Sequence, residues 1–364
     1  MATDSPTGPT MRAWRTHVYG PPLEALRLDV VDQPTPDAGE VRVRVQAIAL
    51  NLNDLERITG GPMMVEPELP YSPGMEVLGI VDACGEGTDT WLGRRVVGIP
   101  KGASGGYSEY AVCPVVSTFE MPESIPLPDA AALFFPFHLA WLGLFDRAGL
   151  QPGETVLIHA GAGGSGSAAI QLAAHRGARV LATAGTDEKV ELCRSLGADV
   201  AINYSTTSFA EVVLAETANR GVEVVFDNVG EAVWEASLQC TAYNGRYLMM
   251  GFASNKAVAD EPFVVPRRLA LGNIKLCGVL LAYATDDLAE IVKTAMGWNF
   301  PSGRLGEDIM REVVQMVEQG HVRPVIGDVV GFEDIPSAIT AMAERRTTGR
   351  TIVLVDSTAH GREG

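Results

Sequence analysis

The chain has no CxxC pair, no apolar run of the ~20 residues a membrane span requires, no internal repeat and no basic run longer than an Arg pair such as Arg267-Arg268. Each absence removes a class of function. The five cysteines, Cys84, Cys113, Cys193, Cys240 and Cys277, are odd in number and widely scattered. Such a set fits reduced thiols in a cytoplasmic protein, each a small buried hydrophobe, and not a disulfide framework or a zinc knuckle. Basic residues are scarce: 28 Lys and Arg stand against 45 Asp and Glu, a formal net charge of -17. That balance repels nucleic acid and anionic membrane alike, so neither is an expected partner, although a local basic cleft for a phosphate is compatible with it. The opening Met1 to Thr10 lacks both the basic start and the apolar stretch of a signal or transit peptide, and a disordered tail is expected there. What is present is 46% hydrophobic and 20% charged residues over 364 positions, room for two domains of a soluble globular protein.

The most informative stretch runs from Thr155 to Tyr204. Val156-Leu157-Ile158 reads as a buried strand, and Gly161-x-Gly163-x-x-Gly166 follows it directly, opening the apolar helix from Ala168 to Ala173. With a second β-rich run from Ala178 to Thr183, this is the strand, turn, helix, strand unit that binds dinucleotides. The glycines permit a tight turn, a close approach of backbone to a diphosphate and a close contact of helix on strand. Gly161, Gly163, Gly164, Ser165 and Gly166 are therefore candidate cofactor contacts, the diphosphate resting on unpaired N–H groups at the helix start. An NAD site has Asp or Glu about 20 residues past the glycines, for the ribose 2′-hydroxyl. That place falls near Ala184 in Thr183-Ala184-Gly185-Thr186-Asp187-Glu188-Lys189, and no carboxylate occupies the strand end. A 2′-phosphate is then accommodated, with Thr186 offering a hydroxyl and Lys189 a point charge, so the expected cofactor is NADP(H), and Thr183 and Gly185 of the same strand end are counted among its candidate contacts. Asp187 and Glu188 lie on the following turn, where helix N-terminal preference explains them. Lys189 has a plainer reading as a solvated helix lysine.

Along the rest of the chain the period changes twice. Met11 to Val18, Leu26 to Val31, the strictly alternating Glu40 to Ala47, Val77 to Ala83, Gly93 to Gly98 and Gly105 to Val112 read as short strands between Gly and Pro turns, which together imply a barrel-like β domain. Leu50 to Arg57 reads as a short helix with polar residues toward a cleft. From Pro128 to Leu150 the pattern is an apolar helix bridging into the second domain. Strands at Val222 to Phe226 and Arg246 to Met250 then alternate with helices at Phe209 to Thr217 and Glu231 to Cys240, a doubly wound parallel sheet. Asn228, Gly251 and Phe252 follow its strand ends and are expected to face the cofactor. Ile274 to Leu280 is a late apolar strand, and Thr351 to Val355 a closing one.

In this order the features resemble the medium-chain dehydrogenase/reductase superfamily, and within it the zinc-free quinone oxidoreductases of the zeta-crystallin type. The markers are GEVRVRV from Gly39, Asn51-x-x-Asp54, LPYSPGMEVLGIV from Leu69, HAGAGGSGSAAIQLA, GADVAINY, FDNVG and GRYLMMGF. The resemblance implies an α/β fold: a disordered tail at 1–10, a GroES-like β-rich catalytic domain at 11–130 to which 283–364 returns, and a Rossmann NADP-binding domain at 131–282. In that family the lysine of a GTxxK segment and the tyrosine closing an INY strand hold the 2′-phosphate, and Gly185, Lys189 and Tyr204 match those places. Where zinc-dependent relatives place metal ligands, this chain has Leu50 or its neighbours, Met75 and Phe135, and the structural four-cysteine lobe is missing, so no metal is expected. His138 nearby reads as a core residue of an apolar helix. Two places depart from the family's quinone reductases: Glu56 stands for a tyrosine and Leu139 for a threonine, and both bear on quinone specificity.

The implied chemistry is hydride delivery from NADPH to a small electrophile, a quinone or an α,β-unsaturated carbonyl, with the nicotinamide near Asn228, Phe252 and the 276–280 strand. Asn51 is a candidate donor to a substrate carbonyl, with a cap as its alternative, and Asp54 a candidate proton relay, with a salt bridge or cap as its alternative. Two rivals remain open: an enoyl-thioester reductase and a non-catalytic NADP(H)-binding sensor or structural protein. The apolar 274–280 strand suggests a homodimer paired across a two-fold axis.

Overall fold

Alternation dictates the first elements. In the computed structural model, which describes residues 8–61, 67–250 and 266–355, β1 (Thr10–Thr16) and β2 (Leu26–Asp32) pair antiparallel on either side of a short helix, α1 (Pro22–Ala25). Thr10, assigned above to the tail, already pairs with Asp32. In β3 (Glu40–Ala49) Val41, Val43 and Val45 are buried while Arg42, Arg44 and Gln46 between them stay half exposed, the period of two that a one-sided strand requires. There follow α2 (Leu52–Thr59), β4 (Val77–Cys84), β5 (Arg95–Gly98), β6 (Tyr110–Pro114) and β7 (Thr118–Glu120). The strand expected from Gly105 starts only at Tyr110: Gly105 has φ +97 and Gly106 N–H bonds Gly74 O at 2.9 Å, so this stretch turns before it pairs.

The apolar bridge from Pro128 is not one helix. It breaks into a 3₁₀ turn at Asp129–Ala132, α3 (Phe134–Trp141) and a π-helical stretch at Leu142–Arg147, closed by Ala148 N–H to Gly143 O at 2.9 Å. Pro136 has no N–H to give, and Gly143 lies so close to the sheet that a Cβ there would meet Phe226 and Met250 at 3.3 Å.

Beyond it come β8 (Thr155–Ile158), α4 (Gly164–His175), β9 (Arg179–Ala184), α5 (Asp187–Ser195), β10 (Val200–Asn203), α6 (Phe209–Glu216), β11 (Val222–Asp227), α7 (Glu231–Gln239), β12 (Thr241–Met249), α8 (Pro266–Gly272) and β13 (Lys275–Gly278). The strands form one parallel sheet in the order β10-β9-β8-β11-β12-β13. Val156 to Ile158, Val180 to Ala184 and Val224 to Asp227 are buried throughout, because helices cover both faces of such a sheet. The chain moves outward from β8 through β9 and β10, then restarts on the other side at β11. That reversal is the switch point at which open α/β sheets bind ligands, beyond the strands' carboxyl ends.

The last part contains α9 (Asp286–Met296), α10 (Gly303–Glu318), β14 (Ile326–Gly331), α11 (Ile335–Ala343) and β15 (Arg350–Leu354). The final two strands complete a second sheet, β14-β15-β3-β4-β5-β7, with β6 also paired to β3; only β14 and β15 run parallel in it. Its core gathers Val41, Val43, Ile48, Ile58, Val81, Tyr107, Phe332 and Val353.

Contacts divide the chain into two units. The first runs to Phe134 and takes in Ala282–Val314 and everything from Ile326; the second is Phe135–Leu281 with Gln315–Val325. The return to the first unit is thus interrupted. Gln171 of α4 explains why, since its amide donates to Arg323 O and accepts from Arg323 N, both at 2.9 Å, holding the 315–325 segment in the second unit. No helix among the described residues is long and apolar enough to cross a membrane.

Candidate functional site

At the carboxyl end of the parallel sheet the glycine turn connects β8 to α4. Gly161 N–H bonds Thr183 O at 2.9 Å, fastening the turn to the neighbouring strand. A Cβ on Gly166 would lie 2.1 Å from Ala160 O, so only glycine lets the helix start this close to the turn, whereas at Gly163 the same oxygen is 3.3 Å away. Gly164, Ser165 and Gly166 open the helix, and first-turn N–H groups have no partner within it. This is a backbone cradle for an anion.

Strands β9 and β10 end beside it. Ala184 is buried and carries no charge, and a Cβ on Gly185 would come within 2.7 Å of the Tyr204 hydroxyl. The phenol therefore lies directly over the strand end with its ring half exposed. Thr186 is the N-cap of α5, its Oγ1 accepting Lys189 N–H at 3.3 Å, and Asp187 and Glu188 fill the first turn, where the helix dipole favours them. Lys189 is half-buried on the same turn. The structure thus brings Gly161, Gly163, Gly164, Ser165, Gly166, Gly185, Thr186, Lys189 and Tyr204 to one sheet end, and half-buried Asn228 follows β11 at that end too. Gly251 and Phe252 lie outside the described residues.

Thr183 has a different role from the one its position suggested. Its hydroxyl is buried and bonds His159 Nδ1 at 3.0 Å, so it holds the loop and does not face a ligand. The network assigns the tautomer: Ser237 Oγ donates to Val233 O at 2.7 Å, so His159 Nε2 donates to Ser237 Oγ at 2.8 Å and Nδ1 accepts from Thr183. Burial lowers His159 to about 3 and keeps it neutral. Asp227 closes the other side of the switch point, accepting Val229 N–H at 2.7 Å, Gly230 N–H at 3.0 Å and Tyr247 O–H at 2.8 Å. Burial raises it to about 6 against these bonds. Asp227 belongs to the strand end expected to face the cofactor, whereas His159 was missed as a support of the site. A polar residue directly after the apolar strand β8 was its signal.

In the first unit, Asn51 and Asp54 belong to a buried network, and the bonds of Asp54 are those of the cap offered as its alternative role. Asn51 Nδ2 donates to Ala49 O at 3.0 Å and Glu76 Oε2 at 3.1 Å, while its Oδ1 accepts Arg350 Nη1–H at 2.8 Å. Both amide protons are engaged, which leaves none for a substrate carbonyl. Asp54 accepts the N-cap amide of Asn51 at 2.9 Å, Met75 N–H at 3.1 Å and Tyr107 O–H at 3.0 Å. It is fully buried, and burial raises it to about 6. Its geometry is that of a helix cap that also pins the backbone at Met75. Arg350 completes the cluster with an ion pair to Glu76. His138 is buried, and burial lowers it to about 3, so it is a neutral core group.

Two family models match the chain: one described as alcohol dehydrogenase GroES-like domain over residues 37–123, the other as zinc-binding dehydrogenase over residues 164–296. The quinone oxidoreductase-like protein 2 of Bos taurus is 32% identical over 335 residues, which cover 91% of this chain and 90% of that protein. The quinone oxidoreductase of Sus scrofa is 30% identical over 339 residues, 92% of this chain and 95% of its own. A solved mycobacterial structure, described as complexed with NADPH, matches with a TM-score of 0.79 at 30% identity, covering 94% of this chain and 99% of that one.

Proposed function

This chain belongs to the medium-chain dehydrogenase/reductase superfamily, in its quinone oxidoreductase branch, and from that premise we propose a zinc-independent reductase of quinones or α,β-unsaturated carbonyls. It is an oxidoreductase that binds NADP(H), as its NADPH-bound relative does. The residues present fit that cofactor. N–H groups of Gly164, Ser165 and Gly166 would hold the diphosphate, and Lys189, Tyr204 and Thr186 the 2′-phosphate. One observation carries this reading: the Tyr204 hydroxyl lies over Gly185 at a strand end without a carboxylate, with Lys189 one turn on. When bound, NADPH supplies a hydride, so reduction of a quinone to its hydroquinone consumes NADPH and one proton.

The chain's own contribution is binding and orientation. Asp54, held between the amides of Asn51 and Met75, fixes the start of α2 against the strand-entry segment. It is a positioning residue, as is Asn51. Donor chemistry supports work without zinc: leucine and phenylalanine at 50 and 135 have no ligating atom, and the thioether of Met75 is a soft ligand that suits copper(I) better. The odd, widely scattered cysteines support a reducing, cytoplasmic setting. A homodimer is supported by β13, an edge strand of the parallel sheet, with Leu271, Leu276 and Leu280 exposed around it.

A screen of NADPH oxidation over quinones, enones and enoyl thioesters tests the proposal, beside calorimetry with NADPH and NADH. Turnover of a quinone or enone with metal-stripped protein is expected. Activity confined to enoyl thioesters, or loss of activity with removal of zinc, would overturn the substrate or the metal part respectively.

A further inference from the structure

We propose that Asn203 sets the preference for the phosphorylated cofactor by restraining the carboxylate of Asp187. The proposal rests on NADP(H) binding at this sheet end. Asp187 is the awkward residue there: an exposed negative charge two positions before Lys189 and two after Gly185, on the turn that would receive a dianionic phosphate. Free to rotate among its staggered conformers, such a carboxylate would sweep the mouth of the site. It is not free. Asn203, the last residue of β10, donates from Nδ2 to Asp187 Oδ1 at 2.7 Å.

The orientation of the Asn203 amide is itself determined. Its Oδ1 accepts Ser205 N–H at 3.0 Å, so a flipped amide would set donor against donor, and Nδ2 can only face Asp187. Ser205 Oγ in turn donates to Gly185 O at 2.9 Å, which ties the turn after β10 to the end of β9. The amide thus stands on a hydrogen-bonded frame, and the frame decides where the Asp187 charge sits. An aspartate at that position in place of Asn203 could not do this, because it would repel Asp187.

A freed carboxylate several ångströms from a phosphate is worth on the order of tenfold in affinity at low salt. NADH has no 2′-phosphate, and a carboxylate near its ribose hydroxyls is favourable. Calorimetric titration of the full-length protein with NADPH and with NADH, at low and high salt, reads the effect without turnover. Asn203→Ala is expected to weaken NADPH about tenfold at low salt and less at high salt, with NADH unchanged or tighter. Asn203→Asp should act in the same direction. Adding Asp187→Asn to Asn203→Ala should restore NADPH binding to within about twofold of wild type. If Asn203 acts only by shaping the turn that presents Tyr204, the second substitution will restore nothing, and that result overturns the proposal. Unchanged NADPH affinity in Asn203→Ala overturns it as well. A wild-type protein that binds both cofactors equally would instead strike at the NADP(H) assignment on which the proposal depends.

Discussion

Gly166→Ala adds one methyl group at the most crowded point of the glycine turn. Its Cβ would lie 2.1 Å from the carbonyl oxygen of Ala160 and 2.8 Å from the carbonyl carbon. Neither atom belongs to a side chain that can swing away, so the start of α4 and the turn must separate. Overpacking of this kind costs about 1–3 kcal/mol, which corresponds to a fall in melting temperature of roughly 2–10 °C for a unit this size. The larger effect falls on binding. Moving the first turn takes N–H groups away from the diphosphate, and each charge-assisted hydrogen bond lost is worth about 1.5–3 kcal/mol, so a weakening on the order of a hundredfold is expected. Because NADPH and NADH share the diphosphate, both should weaken equally. Gly163→Ala is the control for stability alone, since its Cβ meets the same oxygen at 3.3 Å and a small adjustment relieves the contact, so a smaller fall in melting temperature is expected there. Calorimetric titrations with both cofactors, beside thermal melts of the two variants, decide the matter. Wild-type affinity in folded Gly166→Ala, or a loss confined to NADPH, would refute the assignment of the diphosphate to this turn.

Lys189→Ala should weaken NADPH at least tenfold more than NADH, read by the same titrations, since only the former has a 2′-phosphate for the ammonium to meet; an equal loss would show that the lysine meets no phosphate. Asp54 makes stability depend on pH. Its carboxyl is raised by burial from 3.8 to about 6, so the native state holds the proton more tightly than the unfolded chain. The associated stability, about 3 kcal/mol, is fully present below about 3.8 and lost as pH rises through about 6. Urea melts across that window should show a flatter profile for Asp54→Asn than for wild type, Asp227 supplying a slope of the same sign in both; parallel profiles would assign the dependence elsewhere. Light scattering at micromolar concentration is expected to return twice the chain mass, and Leu276→Lys on the edge strand to shift it toward the monomer, whereas a monomeric wild type would end the case for pairing through β13.

Much of this was legible before any coordinates. Strands β8 and β9 announce themselves because a parallel sheet covered on both faces needs unbroken apolar runs, and the glycine spacing follows from how near α4 must come to Ala160 O. The missing carboxylate at Ala184 is equally local. The apolar stretch from Pro128 misled, because periodicity does not register the π-helical stretch at Leu142–Arg147, where Gly143 meets the sheet. For Asn51 and Asp54 the letters left a catalytic and a capping role open, for another reason. Read alone they look available for catalysis, but the partner that takes the Asn51 oxygen is Arg350, 299 positions away.

Short-range order decided by the residues themselves therefore includes the strand, turn and helix unit, the spacing of its glycines, the two-residue period of the β-rich half and the absence of charge at the cofactor strand's tip. Backbone sterics and hydrophobic period act within a few residues, so they can be read from a string of letters. Tertiary structure alone decided which polar groups are already satisfied: Thr183 by His159, Asn51 by Glu76 and Arg350, Asp187 by Asn203. A hydrogen-bonding group has only as many partners as its protons and lone pairs allow, and which partners arrive first depends on segments that meet only when the chain has folded.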